Sequence, residues 1–335
     1  MLRFVSSPDT FLVEEIAAYE PSGTGEHTYL WLEKRDLTTM EAVRRVAGML
    51  GVDARDVGYA GMKDRHATTR QWISVPRVEP ATALQIAGQD LRVLDARRHG
   101  NKLRTGHLRG NRFEMVLTGA VGDGDDTRDK LAARLAGMAA GGLANRFGEQ
   151  RFGMAGDNAR EGLAILRGER RARDHRQRKL LMSAAQSAVF NRYLELRAAS
   201  GRLTDVRLGD VLQKTDTGGM FVCEDPAVEQ QRVDAGAVVP TGPMPGGRVM
   251  EPPPETPSRA LEDQALADSG ATRQDFERAG RDLPGTRRPV VVAVEVGDPP
   301  LTAEPAVDGS ATAVRIRFAL PAGSYATVVL AALLC

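Results

Sequence analysis

One acidic side chain stands inside a group of cations in the first quarter of the sequence. Asp64 is accompanied by Lys63, Arg65, His66 and Arg70. Nearby positive charge favours an ionised carboxylate, which could act as a nucleophile or as a general base. The same cations, including Lys63 and His66, are candidates for binding the phosphates of a polyanionic substrate. A solvated charged turn without chemistry explains the pattern equally well, since runs of charge are usually surface features.

Two strand-like segments must position this aspartate. Residues 57–60 are apolar and predict a buried strand, and residues 71–75 predict the strand that returns. Gly61 lies between them, and glycine can adopt backbone angles that other residues avoid. We therefore predict that the chain turns sharply at Gly61, just before Asp64.

A second group with binding chemistry occupies residues 109–113, of sequence Arg-Gly-Asn-Arg-Phe. Asn111 can form two hydrogen bonds with the polar edge of a base, and Phe113 can stack on its face, which contributes roughly 1 to 3 kcal/mol per base. In the alternative interpretation, Phe113 begins the buried face of a strand and Asn111 satisfies a turn. A third group, residues 145–153, mixes aromatic, glycine and hydrogen-bonding residues, and we favour a structural role for its two phenylalanines.

The charged residues are balanced in number but segregated along the chain. The 335 residues include 45 Lys and Arg against 44 Asp and Glu, so net charge gives no reason to expect nucleic acid. Residues 97–112, however, contain six Lys or Arg, two His and no acid, and residues 167–179 are almost as basic. One surface could therefore be strongly positive.

Cysteine, histidine and apolar patterns restrict the class of protein further. Cys223 and Cys335 are the only cysteines, without a CxxC pair, which argues against a disulfide framework or a structural zinc site. The five histidines form no HExxH motif, and no apolar segment resembles a signal peptide or reaches membrane-spanning length. We expect a cytoplasmic protein that uses no metal, with no membrane association, no obligate protein partner and a monomeric state.

Mixed helices and strands are predicted along the chain. Thr38 and Glu41 form a capping box ahead of a helix that should end at Gly51. Further strands are predicted at residues 11–16, 28–32, 91–94, 113–117, 290–296 and 314–318, and further helices from about residue 127 and over about residues 178–199. Residues 238–257 are rich in Pro, Gly and acidic residues, which predicts a loop.

The distribution of strands indicates an insertion. Strong strands occupy the first 120 residues and return after residue 290, while the middle of the chain is helical, basic and then loop-rich. We predict an α/β protein of the α+β type, in which the late strands complete the early sheet. Its main domain would comprise residues 1–153 and 285–335, interrupted by a smaller inserted α/β domain of residues 154–284.

Five segments occur in an order that is characteristic of one known family. They are residues 58–72, 110–113, 145–153, 183–191 and 320–327. The first contains the specific core Gly-x-Lys-Asp-Arg-His-Ala, and residues 8–15 are similar to the N-terminal motif of the same family. Together the segments resemble the ordered motifs of the TruD family of tRNA pseudouridine synthases over nearly the whole chain.

The resemblance implies a fold and a set of site residues. The fold would be a pseudouridine synthase fold with a mixed, mostly antiparallel sheet, and the insertion would be a TRUD domain. Asp64 would be the catalytic aspartate, Phe113 the aromatic residue that stacks on the target uracil, and Asn111 a neighbour that helps to hold the flipped nucleotide. Phe11 would be an aromatic residue near the same pocket.

The implied reaction is the isomerisation of uridine to pseudouridine in tRNA, at uridine 13, without a cofactor or metal. The glycosidic bond from N1 to C1′ breaks, the uracil rotates, and a bond from C5 to C1′ replaces it. A paired uridine must first be flipped out at a cost of a few kcal/mol, which a stacking ring and phosphate-binding cations can offset. The sequence leaves open whether Asp64 is the nucleophile or the base.

The chain departs from the family pattern at Val5. The family carries a lysine at this spacing, where it can pair with the catalytic aspartate, and the nearest cation here is Arg3. The charge partner of Asp64 is therefore an open question. The departure also suggests an alternative function, an RNA-binding or tRNA-chaperone protein on the same fold with weak or no catalysis.

Overall fold

Strands alternate with short helices along the computed structural model, which describes residues 2–119, 127–304 and 313–334. The chain divides into two compact units. The first unit comprises Met1–Gly141, Ala293–Ala326 and Leu330–Cys335, and the second unit comprises Gly142–Val292 and Thr327–Val329. The residues 154–284 that we predicted as an insertion all belong to the second unit.

The strands vary from two to eleven residues in length. In chain order they are β1 (Arg3–Phe4), β2 (Phe11–Ala17), β3 (His27–Arg35), β4 (Gly58–Tyr59), β5 (Thr68–Pro76), β6 (Leu91–His99), β7 (Leu108–Thr118), β8 (Leu143–Ala144), β9 (Val211–Lys214), β10 (Met220–Val222), β11 (Val238–Met244), β12 (Thr286–Pro289), β13 (Val291–Val292), β14 (Glu295–Glu304) and β15 (Ala313–Pro321).

The helices are mostly short, with one long exception of 25 residues. In chain order they are α1 (Thr39–Leu50), α2 (Pro80–Ala83), α3 (Thr127–Gly141), α4 (Asn158–Arg167), α5 (His175–Ala199), α6 (Pro226–Asp234), α7 (Pro257–Asp268), α8 (Arg273–Glu277) and α9 (Ala326–Leu334), with 3₁₀ helices at Glu149–Arg151 and Gly280–Asp282.

A large sheet forms the centre of the first unit. Among the described residues it has nine strands, in the order β14-β15-β7-β2-β5-β3-β6, with β1 beside β7 and β4 beside β5. Only β2 and β5 run parallel in the described part of this sheet. Because β15 pairs with β7, the prediction that the late strands complete the early sheet is confirmed, as is the mixed, mostly antiparallel α+β class.

The predicted helix α1 covers one face of this sheet. Thr38 and Glu41 form the capping box, and Gly51 ends the helix with a left-handed φ of 66°, so both predicted boundaries are confirmed. Val43 and Val46 of α1 are fully buried against apolar side chains of β3 and β5. Burial of each such side chain stabilises the fold by about 1.5 to 3 kcal/mol.

The last strand, β15, confirms an alternating pattern in the sequence. Val314, Ile316 and Phe318 are buried on one face of the sheet. Arg315 and Arg317 point to the other face, because successive side chains of a strand point to opposite sides of the sheet.

The segment that we predicted as a loop, residues 238–257, contains strand β11, so the prediction is wrong there. This strand lies between β9 and β12 in a four-stranded sheet of the second unit. A Cβ atom at Gly242 would lie 2.6 Å from the ring of Tyr193 on α5, so glycine permits close packing of the helix on the strand. Tertiary packing therefore outweighs the turn-forming composition.

Two other boundaries also differ from the predictions. The apolar run at residues 290–296 is not one strand, because only Val291–Val292 pairs with β8, and β14 begins at Glu295. Helix α5 begins at His175, three residues earlier than predicted. The side chain of Asp174 accepts a hydrogen bond from the backbone N–H of Gln177 and thereby caps the helix.

Candidate active site

Asp64 lies on the connection between β4 and β5, which are antiparallel neighbours. Its side chain is exposed, and its carboxylate forms no hydrogen bond or ion pair with any residue that the structure describes. Gly61 has no positive φ, so our conformational argument for this glycine is wrong. The glycine that the segment requires is Gly58, where a Cβ atom would lie 2.3 Å from the carbonyl oxygen of Leu103.

Buried amide and hydroxyl groups hold the backbone that leads into Asp64. Gln71 Nε2 donates a hydrogen bond to the carbonyl oxygen of Gly61 at 3.1 Å. The backbone N–H of Lys63 donates to Thr39 Oγ1 at 2.9 Å. Gln71 and Thr39 are each only 1% exposed, so they support the segment from beneath. Sequence analysis missed both residues, because each lies on a different element from Asp64.

A lysine on β3 contacts the backbone of Asp64 itself. Lys34 Nζ donates hydrogen bonds to the carbonyl oxygens of Leu37 at 2.6 Å and Asp64 at 2.8 Å. Burial lowers the pKa of Lys34 to about 8, while the Asp64 carboxylate acts in the opposite direction. Sequence analysis missed this residue as well, since its charge is one of several in an unremarkable Glu-Lys-Arg run.

Lys63 forms a buried ion pair directly beneath the segment. Its Nζ lies 2.8 Å from Glu15 Oε2, and the two side chains are 3% and 1% exposed. Glu15 Oε1 also accepts a hydrogen bond from the backbone N–H of Trp72 at 3.3 Å. Burial raises the pKa of Glu15, and the Lys63 ammonium opposes that rise. The structure thus directs the ammonium of Lys63 toward Glu15.

His66 lies at the exposed end of the same connection. Its Nδ1 is 2.9 Å from Asp36 Oδ1, and its carbonyl oxygen accepts a hydrogen bond from Ser6 Oγ at 2.6 Å. The nearby Arg65 guanidinium lies 4.0 Å from Asp36 and 3.8 Å from Glu41. These are solvent-exposed contacts, in contrast to the buried ones of Lys63.

The predicted aromatic residues form a buried row on one face of the sheet. The ring of Phe113 is stacked with Phe11 at a centroid distance of 6.3 Å and with Phe318 at 5.3 Å. Phe113 is only 5% exposed and Phe11 only 7%. Phe113 therefore belongs to the buried face of β7, as the structural interpretation of this segment predicted.

Asn111 lies on the same face as Phe113, two residues earlier on β7. It is directly opposite Glu15 in the pairing of β7 with β2. Its Oδ1 atom is buried and accepts no hydrogen bond from any described residue. Asn111 is therefore close to the Glu15–Lys63 pair and keeps an unused acceptor, and buried polar atoms without a partner are rare.

Fewer cations of the basic run at residues 97–112 are available to bind phosphate than the composition suggested. Its ion pairs join Arg97 to Asp95 and Glu20, Arg98 to Glu79, and Arg112 to Glu14. Within the described residues, Arg104 and Arg109 are exposed and have no ion pair. Lys102 has no ion pair to a described residue either, but it is half-buried and its ammonium donates a hydrogen bond to the carbonyl oxygen of Arg55. The exposed and unpaired charge of this run is therefore on Arg104 and Arg109.

The second basic run and the third motif belong to the second unit. Arg171, Arg176 and Lys179 are the exposed cations of residues 167–179 without an ion pair to a described residue. In the third motif, Phe147 is buried and packs edge-on against Phe190 at 5.8 Å, while Phe152 is half-buried. The structural role that we favoured for Phe147 is consistent with this burial.

The described residues offer no convergent metal ligands. No group of three His, Cys, Asp or Glu side chains in residues 2–119, 127–304 and 313–334 is arranged to hold a metal ion. No helix over the same ranges is long and apolar enough to cross a membrane. Cys223 is a buried free thiol, and Cys335 lies outside the described residues.

Comparisons with known proteins agree on one family. The family model described as tRNA pseudouridine synthase D (TruD) matches residues 2–174 and 171–333. A protein named tRNA pseudouridine synthase D from Anaeromyxobacter sp. (strain Fw109-5) is 46% identical over 330 residues, covering 97% of this chain and 90% of that protein. A protein of the same name from Thermus thermophilus is 39% identical over 327 residues, covering 96% of this chain and 86% of that protein.

A solved structure shares the fold. The crystal structure of a Methanosarcina mazei protein, described as a candidate TruD enzyme, superposes with a TM-score of 0.77 at 22% identity. The match covers 98% of this chain and 95% of that one. Together with the matching family model and the relatives, these findings show that the chain belongs to the tRNA pseudouridine synthase D (TruD) family.

Proposed function

We propose that this protein is a tRNA pseudouridine synthase, an isomerase that converts uridine 13 of tRNA to pseudouridine with Asp64 as the essential carboxylate. One observation carries the proposal beyond family membership. Asp64 is exposed and its carboxylate has no hydrogen bond or ion pair with a described residue, yet the backbone of Asp64 and of the residues before it is held by buried side chains from two strands and a helix. A carboxylate whose backbone is fixed, and which forms no hydrogen bond or ion pair within the described protein, is available to a substrate.

The reaction requires only groups that the chain itself supplies. The N1–C1′ bond of uridine breaks, a C5–C1′ bond forms, and the proton lost from C5 is balanced by the proton gained at N1. An ionised carboxylate promotes the first step by attacking as a nucleophile or by removing a sugar proton as a base. The exposed Asp64 suits either role, and the isomerisation involves no redox change.

Asn111 is the proposed contact to the base. Uracil has an N3–H donor between two carbonyl groups, whereas cytosine has an acceptor at N3. The buried, unpartnered Oδ1 of Asn111 would accept the uracil N3–H and would face another acceptor in cytosine. Phe113 and Phe11 form the apolar wall beside it, to which a flipped base could add a stacked ring.

Phosphate contacts are proposed for the exposed cations. Arg104 and Arg109 have no competing carboxylate among the described residues, so they can exchange solvent counterions for RNA phosphates. His66 is exposed and belongs to the same proposed surface, while Lys63 acts from beneath through Glu15. The proposal includes the cytoplasmic location and the monomeric state predicted from the sequence.

A tRNA turnover assay with chemical mapping of pseudouridine tests this function. The wild-type protein should form pseudouridine at position 13, and Asp64→Asn should lower kcat by at least about 10²-fold while most tRNA affinity remains. Asp56→Asn is the matched control, because Asp56 is also an exposed aspartate of the first unit and lies outside the site. Wild-type kinetics in Asp64→Asn would overturn the assignment of Asp64.

The same assay separates the enzyme from a binding protein. Wild-type protein that binds tRNA but forms no pseudouridine would support the RNA-binding or tRNA-chaperone function instead. Pseudouridine at another position would retain the enzyme class and reject uridine 13.

A further inference from the structure

Lys34 is an unusual buried cation. It is 0% exposed, and within the described residues its ammonium forms no salt bridge. Its hydrogen-bond acceptors are two backbone carbonyl oxygens, those of Leu37 and Asp64. Burying an ammonium group without an adjacent counter-ion is costly, so such a residue needs a compensating role.

Neighbouring charged residues on β3 do not share this environment. Glu33 pairs with Arg70 and Arg92 on the other face of the sheet, and Arg35 pairs with Asp9 in an exposed contact. Lys34 alone of the three contacts the Asp64 backbone.

The charged groups that face Lys34 come from two other elements. Asp64 and Lys63 lie on the connection before β5, and Glu41 lies in the first turn of α1. The residues opposite Lys34 in the sheet, Thr69 on β5 and Leu91 on β6, are uncharged. Burial lowers the pKa of Lys34 to about 8, with Asp64 and Glu41 raising it and Lys63 lowering it further.

We propose that Lys34 is the positioning residue for Asp64, holding the aspartate's backbone carbonyl while its buried ammonium stabilises negative charge on the aspartate's carboxylate. This inference rests on the proposed function, in which Asp64 is the essential carboxylate. It also names a cation for Asp64 within this chain, whereas Val5 is 60% exposed and carries no charge. Coulomb attraction acts on both partners and is strong where one of them is desolvated.

The pH dependence of kcat distinguishes this role of Lys34 from one in which Lys34 only supports the backbone. A neutral amine keeps two N–H donors and can still bond both carbonyl oxygens, so deprotonation of Lys34 would leave the support of the backbone intact. Only the charge is lost. The positioning role therefore predicts that kcat is high while Lys34 is protonated, below pH about 8, and falls as the pH rises through that value. The structural role predicts no such fall.

The test measures kcat and KM for tRNA between pH about 6 and about 9.5 in the wild type, Lys34→Met and Lys214→Met. Lys34→Met should lower kcat by about 10- to 100-fold at neutral pH. It should also leave KM within about twofold and abolish the fall near pH 8. Lys214→Met, which removes an exposed lysine of the second unit, should behave as the wild type.

Each outcome decides the question. Unchanged kcat in folded Lys34→Met, or a change in KM alone, would overturn the inference while leaving the proposed function intact. If Lys34→Met does not fold, as thermal unfolding would show, the wild-type profile decides, and a flat kcat between pH about 7 and about 9.5 would overturn it. Absence of pseudouridine with wild-type protein would instead refute the proposed function.

Discussion

Two buried cations, Arg197 in the second unit and Lys34 in the first, complete their hydrogen bonding to different degrees. In the second unit, Arg197 is 0% exposed and uses all five of its N–H donors. Two of these bonds go to both carboxylate oxygens of Asp210 at 2.9 and 2.7 Å, and the others go to Tyr193 and to backbone carbonyls. The network is closed and leaves nothing for a ligand.

Three buried polar groups of the first unit are incompletely paired. Lys34 faces two carbonyl oxygens and no counter-ion in direct contact among the described residues. Asn111 Oδ1 and Thr69 Oγ1 are buried and have no hydrogen-bond partner in the same part of the chain. Unsatisfied buried polar groups cost free energy. Lys34 beneath the Asp64 backbone and the unpartnered Oδ1 of Asn111 are therefore typical of a site that a substrate completes.

The largest expected effect concerns the closed network. Arg197→Met leaves Asp210 buried without its partner and should lower the free energy of unfolding of the second unit by about 3 to 5 kcal/mol. Urea unfolding monitored in that unit measures the loss. Arg202→Met, which removes a 73% exposed partner of Asp205, is the matched control and should change stability by less than about 1 kcal/mol. Equal effects of the two variants would contradict the importance of full burial.

Two asparagines test the difference between incomplete and complete hydrogen bonding, because the side-chain oxygen of Asn111 has no described partner and the side chain of Asn191 has two hydrogen bonds. Asn111→Ala removes an acceptor that bonds no described residue, so the unfolding free energy should change by less than about 1 kcal/mol. The kcat/KM for tRNA should fall by about 10- to 100-fold, which corresponds to one lost hydrogen bond to the base.

Asn191→Ala in the second unit is the control for this prediction. Its amide exchanges two hydrogen bonds with the backbone of Phe147, both at 2.9 Å. Its loss should cost about 1 to 3 kcal/mol of stability and leave kcat/KM of the folded protein unchanged. If Asn111→Ala instead mainly lost stability and retained its kinetics, Asn111 would be a structural residue.

The smallest expected effect concerns the exposed cations. The double change Arg104→Gln and Arg109→Gln should raise KM for tRNA and reduce the slope of log affinity against log salt by about 1 to 2. Filter binding over a range of salt concentrations measures the slope. Arg97→Gln with Arg98→Gln, where both arginines are already paired with acids, should change the slope less. The reverse order would show that ion pairing within the protein does not decide which arginines reach phosphate.

Local patterns were sufficient to predict some elements. The capping box of Thr38 and Glu41, the end of α1 at Gly51 and the alternation along β15 depend on residues three or four positions apart or on a period of two. The position of Asp64 between two strands was predicted for the same reason. Strand β11 was missed because its prolines and glycine are tolerated only where β9, β12 and α5 surround them.

The sequence by itself determined that Asp64 stands among cations and that the motif order resembles one family, while it left Phe113 either a stacking residue or part of a buried face. Only the tertiary structure decided which charges remain available. Lys63 meets Glu15 across 48 positions, and Lys34 meets Asp64 across 30. Strand pairing sets such contacts, because it brings distant residues to the same side of a sheet. The charges of a sequence can be counted, but their partners depend on the fold.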